Sequence, residues 1–251
     1  VKAIDLNFAS GNFVAPAGWN FARAGTNAGY INSSGQYAQA AANTLRITYD
    51  PTTLNCAGAL AECARTNSIR NPRGEGAVAG SPGTMPTNWA ISLVTGLTST
   101  ISASTSDNGF PCAVIRISGT PSANGQCWIA FETIAQITAS VSQVWSLSCY
   151  QKISAGSSAN TSSWVLQALE YNNVSALLAT QNQGFTPSAS PYGQFRAEGN
   201  FTLGQATTAS IRPRLAFTVT NGSAVDLTLE LTPQCELGAV SSTLILPPAG
   251  T

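Results

Sequence analysis

The charged side chains of this 251-residue chain are eleven basic and eleven acidic, and there is no histidine. Without an imidazole, the Ser-His-Asp and Cys-His constellations and the usual zinc sites are excluded. Glycoside hydrolysis needs only two carboxylates at a set separation. Asp5, Asp50, Glu62, Glu75, Asp107, Glu132, Glu170, Glu198, Asp226, Glu230 and Glu236 are available, but no pair falls in a recognisable motif. Most stand singly on alternating segments, where a solvated face is the default. The glycine-rich stretches open no helix with a phosphate-binding G-x-G-x-x-G or Walker pattern. The sequence points away from catalysis, and no residue is singled out as catalytic. Six cysteines, Cys56, Cys63, Cys112, Cys127, Cys149 and Cys235, form no C-x-x-C pair, which argues against zinc ribbons and thioredoxin-like chemistry. Their even number permits three disulfides, and buried free thiols are the alternative.

Binding is the sharper expectation. Sugars are recognised by aromatic faces stacking on C–H patches and by planar polar groups that hydrogen-bond hydroxyls. The non-core positions of the alternating segments offer Arg116, Tyr150, Lys152, Arg212, Arg214 and Glu230. Trp164, Glu170 and Tyr171 fall near a neighbouring edge or turn, whereas Trp89, Trp128 and Trp145 are assigned to the core. Arginine forks suit acidic or hydroxyl-rich polysaccharide.

The elements that must hold these groups are strands. Leu45–Tyr49, Ile211–Val219 and Val225–Leu231 alternate apolar and polar residues, and Cys112–Ile117, Cys127–Phe131, Val144–Ile153 and Trp164–Tyr171 read as further strands, with polar turns between them. Period-two alternation over many segments predicts a β-sandwich. Asn71–Trp89 carries four glycines and three prolines, too many breakers for a helix or central strand. It is read as the boundary between a small N-terminal module, residues 1–66, and a sandwich over 67–251. Within the module, Ile4–Phe8 and Trp19–Arg23 read as short strands. Tyr30–Ile31 and Gln36–Ala38 read as a hairpin closed by Gly35, and Cys56–Cys63 as an extended piece.

Charged residues make up only 9%, against about 25% in ordinary soluble domains. Solubility therefore rests on Ser, Thr, Asn, Gln and Gly, a composition that suits strands and turns. The zero net charge gives no footprint for nucleic acid or an acidic membrane surface. No apolar run approaches the roughly 20 residues that cross a bilayer, and the first residues show no signal peptide.

Phe21-Ala22-Arg23-Ala24, Tyr30, Ala41-Ala42-Asn43 through Pro51, and Glu62-Cys63-Ala64-Arg65-Thr66-Asn67 follow one another in an order that resembles a known module. It is found near the front of tail-fibre and head-spike proteins of bacteriophages, prophages and gene transfer agents. Cys56 and Cys63 depart from that pattern. Asn71-Pro72-x-x-Glu75-Gly76 with Pro82-Gly83-x-x-Pro86-x-x-Trp89 resembles the opening of jelly-roll carbohydrate-binding modules with a galactose-binding-like fold. Pro233-Gln234-Cys235-Glu236-Leu237-Gly238 resembles the closing strand of the same phage domains.

These resemblances imply an all-β chain, a β-hairpin docking module ahead of a jelly roll. They imply a non-enzymatic virion fibre, head spike or decoration protein that adsorbs to host surface polysaccharide. The partners would be other virion proteins, in a homo-oligomer that family habit makes a trimer. The alternatives are a purely structural decoration protein and a carbohydrate-binding module of a secreted enzyme. The jelly-roll resemblance also implies a structural calcium held by Glu75 and Glu236, with no other cofactor. It makes Cys149–Cys235 the preferred disulfide. Cys112 and Cys127, at the two ends of a hairpin, and Cys56 and Cys63, closing a short loop, are the other candidate pairs.

Overall fold

The computed structural model describes residues 22, 28–60, 62 and 64–248. The expected strand at residues 4–8, together with Trp19, Phe21, Arg23 and Cys63, lies outside the described residues. Those described form sixteen strands and no helix. Two small antiparallel pairs come first, β1 (Gly29–Ile31) with β2 (Tyr37–Gln39) and β3 (Ile47–Tyr49) with β4 (Cys56–Ala59). The first is the expected hairpin, and Gly35 sits in it at a φ of 74°. A side chain there would strain the backbone.

The remaining strands make two antiparallel sheets. The front sheet has the order β13 (Leu177–Gly184), β12 (Thr161–Tyr171), β15 (Ser210–Val219), β9 (Gly125–Ala130) and β5 (Ala90–Ser92), with β10 (Ile137–Thr138) added to β15. The back sheet has the order β14 (Arg196–Thr202), β11 (Val144–Ser157), β16 (Val225–Leu237), β8 (Phe110–Gly119) and β6 (Leu97–Ile101), with β7 (Thr105–Asp107) beside β8. From β8 onward the chain passes repeatedly from one sheet to the other, apart from the β12–β13 hairpin and the short β10. This winding makes the sandwich a jelly roll.

Alternation decides what lies between the sheets. Ile115 and Ile117, Cys127 and Ile129, Trp145 and Leu147, Leu166, Leu215 and Phe217, and Leu227 and Leu229 all point inward and are buried. Each fully buried aliphatic or phenyl side chain stabilises by about 1.5–3 kcal/mol. Trp164 joins them at 5% exposure, its ring stacked on Phe217 at 4.5 Å. It belongs to the core rather than to an edge, because it shares parity with Leu166 and Ala168. Trp89 is also core, edge-on to Phe131 at 5.0 Å, with its Nε1 donating to the Asn71 carbonyl at 2.9 Å.

Pro213 and Pro233 sit well inside central strands, which normally need every N–H. A residue's N–H and C=O point to the same side of its strand, so the accepting carbonyl shows where the N–H is missing. The Pro213 carbonyl accepts from Phe131 N at 3.0 Å, just where β15 changes neighbour from β9 to β10. The Pro233 carbonyl accepts from Asn67 Nδ2 at 3.3 Å, beyond the last β8 pair, Leu231 with Ala113. Asn67 continues the ladder there, its Oδ1 accepting from Cys235 N at 3.0 Å.

The cysteines correct the disulfide expectation: Cys112, Cys127, Cys149 and Cys235 are free thiols. β8 and β9 are not a hairpin, because the intervening loop carries the chain from back sheet to front sheet. Cys112 faces away from the core and Cys127 into it. Cys149 and Cys235 do lie on neighbouring strands, but Cys149 is opposite Pro233 and Cys235 is opposite Leu147. Such a diagonal separates Cα atoms by roughly 7–8 Å, beyond the roughly 4.4–6.8 Å of a disulfide. Burial pushes the Cys112 and Cys149 thiols up to about 12. The Cys56–Cys63 candidate involves a residue outside those described.

The outer face of the back sheet is covered by the chain itself. Tyr37, Phe110, Cys112, Tyr192, Leu244 and Leu246 form a second apolar cluster over it. Polar groups from the motif-bearing stretches seal the cover. Glu62 accepts from Arg46 at 2.8 Å and from Thr243 N and Oγ1 at 2.6 Å each. Arg65 donates to the Leu237 carbonyl. The fully buried Glu236 accepts from Gln234 Nε2 at 2.6 Å and from Ser242 N and Oγ at 2.9 and 2.6 Å. Gln234 Oε1 accepts from Ile245 N at 2.6 Å. Residues near 62–67 and 234–245 therefore form one seam.

Candidate functional site

The sequence-predicted binding residues separate onto two opposite faces. Arg116, Tyr150, Lys152 and Glu230 lie on the outer side of the back sheet, where they are occupied by one another or by the cover. Arg116 makes a two-pronged pair with Asp226 at 2.8 and 2.9 Å. Lys152 stands opposite Glu230 across β11 and β16, with its Nζ 2.5 Å from Asp107 and 3.7 Å from Glu230. Burial raises the Glu230 carboxyl above its ordinary value, and the neighbouring Asp107 pushes it the same way. Burial pushes the Asp107 carboxyl up, but hydrogen bonds from Lys152, Glu230 and the Asn108 backbone, together with the Lys152 charge, outweigh it and hold Asp107 below its ordinary value. The Tyr150 ring packs on Phe110 at 4.7 Å beneath the cover, with the Arg196 guanidinium 5.2 Å from its centre.

Tyr171, Arg212 and Arg214 lie on the outer side of the front sheet. Here the residues facing out alternate with core residues on three strands, Gln126 and Trp128 on β9, Arg212 and Arg214 on β15, and Gln167 and Tyr171 on β12, and Asn182 stands opposite Gln167 on the edge strand β13. Trp128 is half-buried on this face, with the guanidinium carbons of Arg212 and Arg214 both 5.3 Å from its ring. This overturns its assignment to the core. Its neighbours Cys127 and Ile129 are core, so Trp128 has the opposite parity, and that parity was the signal available in the sequence. Ala130 and Ala216 also face outward yet are 0% exposed, so longer neighbouring side chains close over them.

A polar row crosses four strands beside the indole. Gln167 Nε2 donates to Asn182 Oδ1 at 2.6 Å. Arg214 Nε donates to Gln167 Oε1, and its Nη2 to Gln126 Oε1 at 3.3 Å. Arg212 Nε donates to the Glu132 main-chain carbonyl at 2.8 Å. Burial lowers Arg214 somewhat, and the adjacent Arg212 charge acts in the same direction. Guanidinium stays cationic in proteins despite such shifts. The face's buried carboxylate, Glu132, is taken by Arg70, Nη2 to Oε1 at 2.6 Å and Nε to Oε2 at 3.1 Å. Gln167 is itself buried and serves to orient Arg214 and Asn182, while Gln126, Asn182 and the two arginines reach the surface around one aromatic ring.

Glu170 has a structural task. Its two oxygens accept from Gln181 Nε2, Thr208 Oγ1, Gly204 N and Gln205 N, which fixes the loop before β15. The calcium pair does not fit what the chain builds. Both Glu236 oxygens are engaged by Gln234 and Ser242, and among the described residues no three Cys, Asp or Glu side chains gather as a metal site. In the opening loop it is Asn71 that organises the backbone, donating to the Glu75 and Thr87 carbonyls at 2.9 Å each.

Fold and face together define a jelly-roll β-sandwich with one self-covered sheet and one sheet bearing an aromatic–guanidinium cluster. No family model matches the chain, and no curated protein matches it. Among solved structures it is similar to an arabinose-bound GH51 α-L-arabinofuranosidase, at 11% identity and a TM-score of 0.43 over 68% of this chain. That match spans about a quarter (26%) of the length of the arabinofuranosidase chain. It is also similar to the CBM22-1 xylan-binding domain of Xyn10C from Paenibacillus barcinonensis, at 13% identity and a TM-score of 0.40, covering 66% of this chain and 99% of that one. A third similar structure is the enzymatically active domain of tailspike protein 4 of bacteriophage CBA120, at 11% identity and a TM-score of 0.36, covering 60% of this chain and 19% of that one.

Proposed function

We propose that this chain is a non-catalytic, glycan-binding component of a bacteriophage particle, a fibre, head spike or decoration protein. Its front sheet would hold host surface polysaccharide. The observation that carries the binding half is Trp128 on an outward strand position, flanked by Arg212 and Arg214 and by the row Gln126, Gln167 and Asn182. An indole supplies a face for sugar C–H groups, and amides and guanidiniums supply directed hydrogen bonds to hydroxyls. These groups bind rather than transfer protons, and Glu132, the buried carboxylate beside Arg212, is occupied by Arg70. The virion half rests on the ordered run of motif residues from Tyr30 to Asn67. On a particle, many weak sites give avidity well above single-site affinity.

The test is retention of the full chain on an array of bacterial surface polysaccharides, compared with Trp128→Ala. Loss of the indole lowers affinity at least about tenfold, or about 1.4 kcal/mol, while the melting curve stays cooperative. Equal retention of both proteins overturns the assignment of this face. Gold labelling of purified particles with an antibody to the chain tests the virion half, and an absence of label on intact particles overturns it.

A further inference from the structure

We infer that the front face takes an acidic polysaccharide, its anionic substituent seated on the Arg212–Arg214 pair; this rests on the glycan-binding reading of that face. Arg212 and Arg214 are two residues apart on β15 and share one ring, Trp128. Like charges this close repel, and in a chain with so few charges the pairing elsewhere is orderly. Arg46, Arg70, Arg116, Lys152 and Arg196 each stand beside a carboxylate. Arg65 and Arg73 reach main-chain carbonyls of the C-terminal segment, those of Leu237 and Pro247. Among the described residues no carboxylate pairs with Arg212 or Arg214. Arg212 touches Glu132 only through its main-chain oxygen, because Arg70 holds the carboxylate.

The pair is also held in place. Gln167 and Gln126 fix the plane of the Arg214 guanidinium, and the indole face holds both cations by its quadrupole. A neutral sugar needs the indole and the amides but gives two adjacent cations nothing to neutralise. A carboxylate or another oxyanion on the sugar ring does both, and a planar fork matches its geometry.

The experiment measures binding of the full chain to polygalacturonate, its methyl ester, alginate, dextran and dextran sulfate by affinity electrophoresis at about 0.15 M salt. At least one acidic polymer is expected to bind about tenfold or more tighter than its neutral partner, with affinity falling as salt rises. Arg212→Gln and Arg214→Gln should each reduce that preference about tenfold while their melting temperatures stay near the parent's. Binding of both the carboxylated and the sulfated polymers assigns any oxyanion; binding of the carboxylated ones alone assigns a carboxylate. Equal affinity for polygalacturonate and its ester overturns the acidic preference and leaves glycan binding standing. An acidic preference that neither arginine variant changes also overturns the seat on this pair. Retention of no polymer overturns both readings.

Discussion

The two outer faces of this sandwich start from the same raw material, outward positions on alternating strands, and end differently. On the back face the outward residues are paired across strands or roofed. Arg116 meets Asp226, Lys152 meets Asp107 and Glu230, and Tyr150 lies under the cluster of Tyr37, Phe110 and Tyr192. On the front face the outward residues are cations, amides and an indole that support one another without neutralising one another. The difference teaches that charge and aromaticity on a strand do not by themselves mark a site. What marks it is whether neighbours in the fold have already satisfied the group.

Three changes test that contrast, in falling order of effect. Glu236→Ala empties the centre of the seam and leaves Ser242 N, Ser242 Oγ and Gln234 Nε2 without their acceptor in a buried place. The expected loss is about 3 kcal/mol, read as a lower urea midpoint with an unchanged slope. Polysaccharide affinity of the folded protein should not move. An unchanged midpoint would show that the cover does not stabilise the sandwich.

The second concerns pH. The folded state binds the Glu230 proton more tightly than the unfolded chain does, so this contribution is present at low pH and is lost as pH rises through the folded value. Asp107 has the opposite sign, its contribution being present above the ordinary carboxyl range and lost as pH falls. Glu230→Gln removes the first dependence. The variant should melt above the parent at pH near 7 by no more than about 2–4 °C, the shift about 1 kcal/mol makes at this size. The gap should close towards pH of about 4, near the ordinary carboxyl range. A variant that melts lower than the parent at neutral pH would show instead that Glu230 is needed as the partner of Lys152.

The smallest effect is expected from Arg116→Gln. Its pair with Asp226 is exposed, and exposed pairs contribute little. Neither melting temperature nor polysaccharide retention should change measurably. A clear loss of retention would move the binding face to the back sheet.

Much of the fold was legible in the sequence. The alternation in Val144–Ile153, Ile211–Val219 and Val225–Leu231 gave strands with the inward residues the structure shows, and Gly35 marked its hairpin. Segments that change sheet midway were harder. Within a dozen residues after Trp89 the chain makes β5 in the front sheet and β6 in the back sheet, and no break in the local pattern separates the two. The same passage between sheets undid the Cys112–Cys127 hairpin. Local pattern reports which residues share a face and is silent on which sheet a strand joins.

The site was legible only in pieces. Of the residues expected to bind, Arg212, Arg214 and Tyr171 stand on the outer side of the front sheet and Trp164 lies in the core, while Trp128, expected in the core, stands on the outer side beside the two arginines. Gln126, Gln167 and Asn182 carry no signal in a chain full of amides, since their importance comes from standing side by side across strands far apart in sequence. The motif residues Glu62, Arg65, Asn67, Gln234 and Glu236 proved to be the seam that holds the chain's own later segment.

By itself, the sequence determined an all-β chain: its period-two alternation, its turn residues and its lack of histidine follow from local chemistry that no partner strand can alter. Only the tertiary structure decided which face is open. That depends on strand order and register, which place Trp128 beside two arginines nearly ninety residues further along, and place Tyr150 beneath the chain's own C-terminal segment. Such long-range neighbours are set by how the sheets wind over a shared core, and a linear pattern contains no term for them.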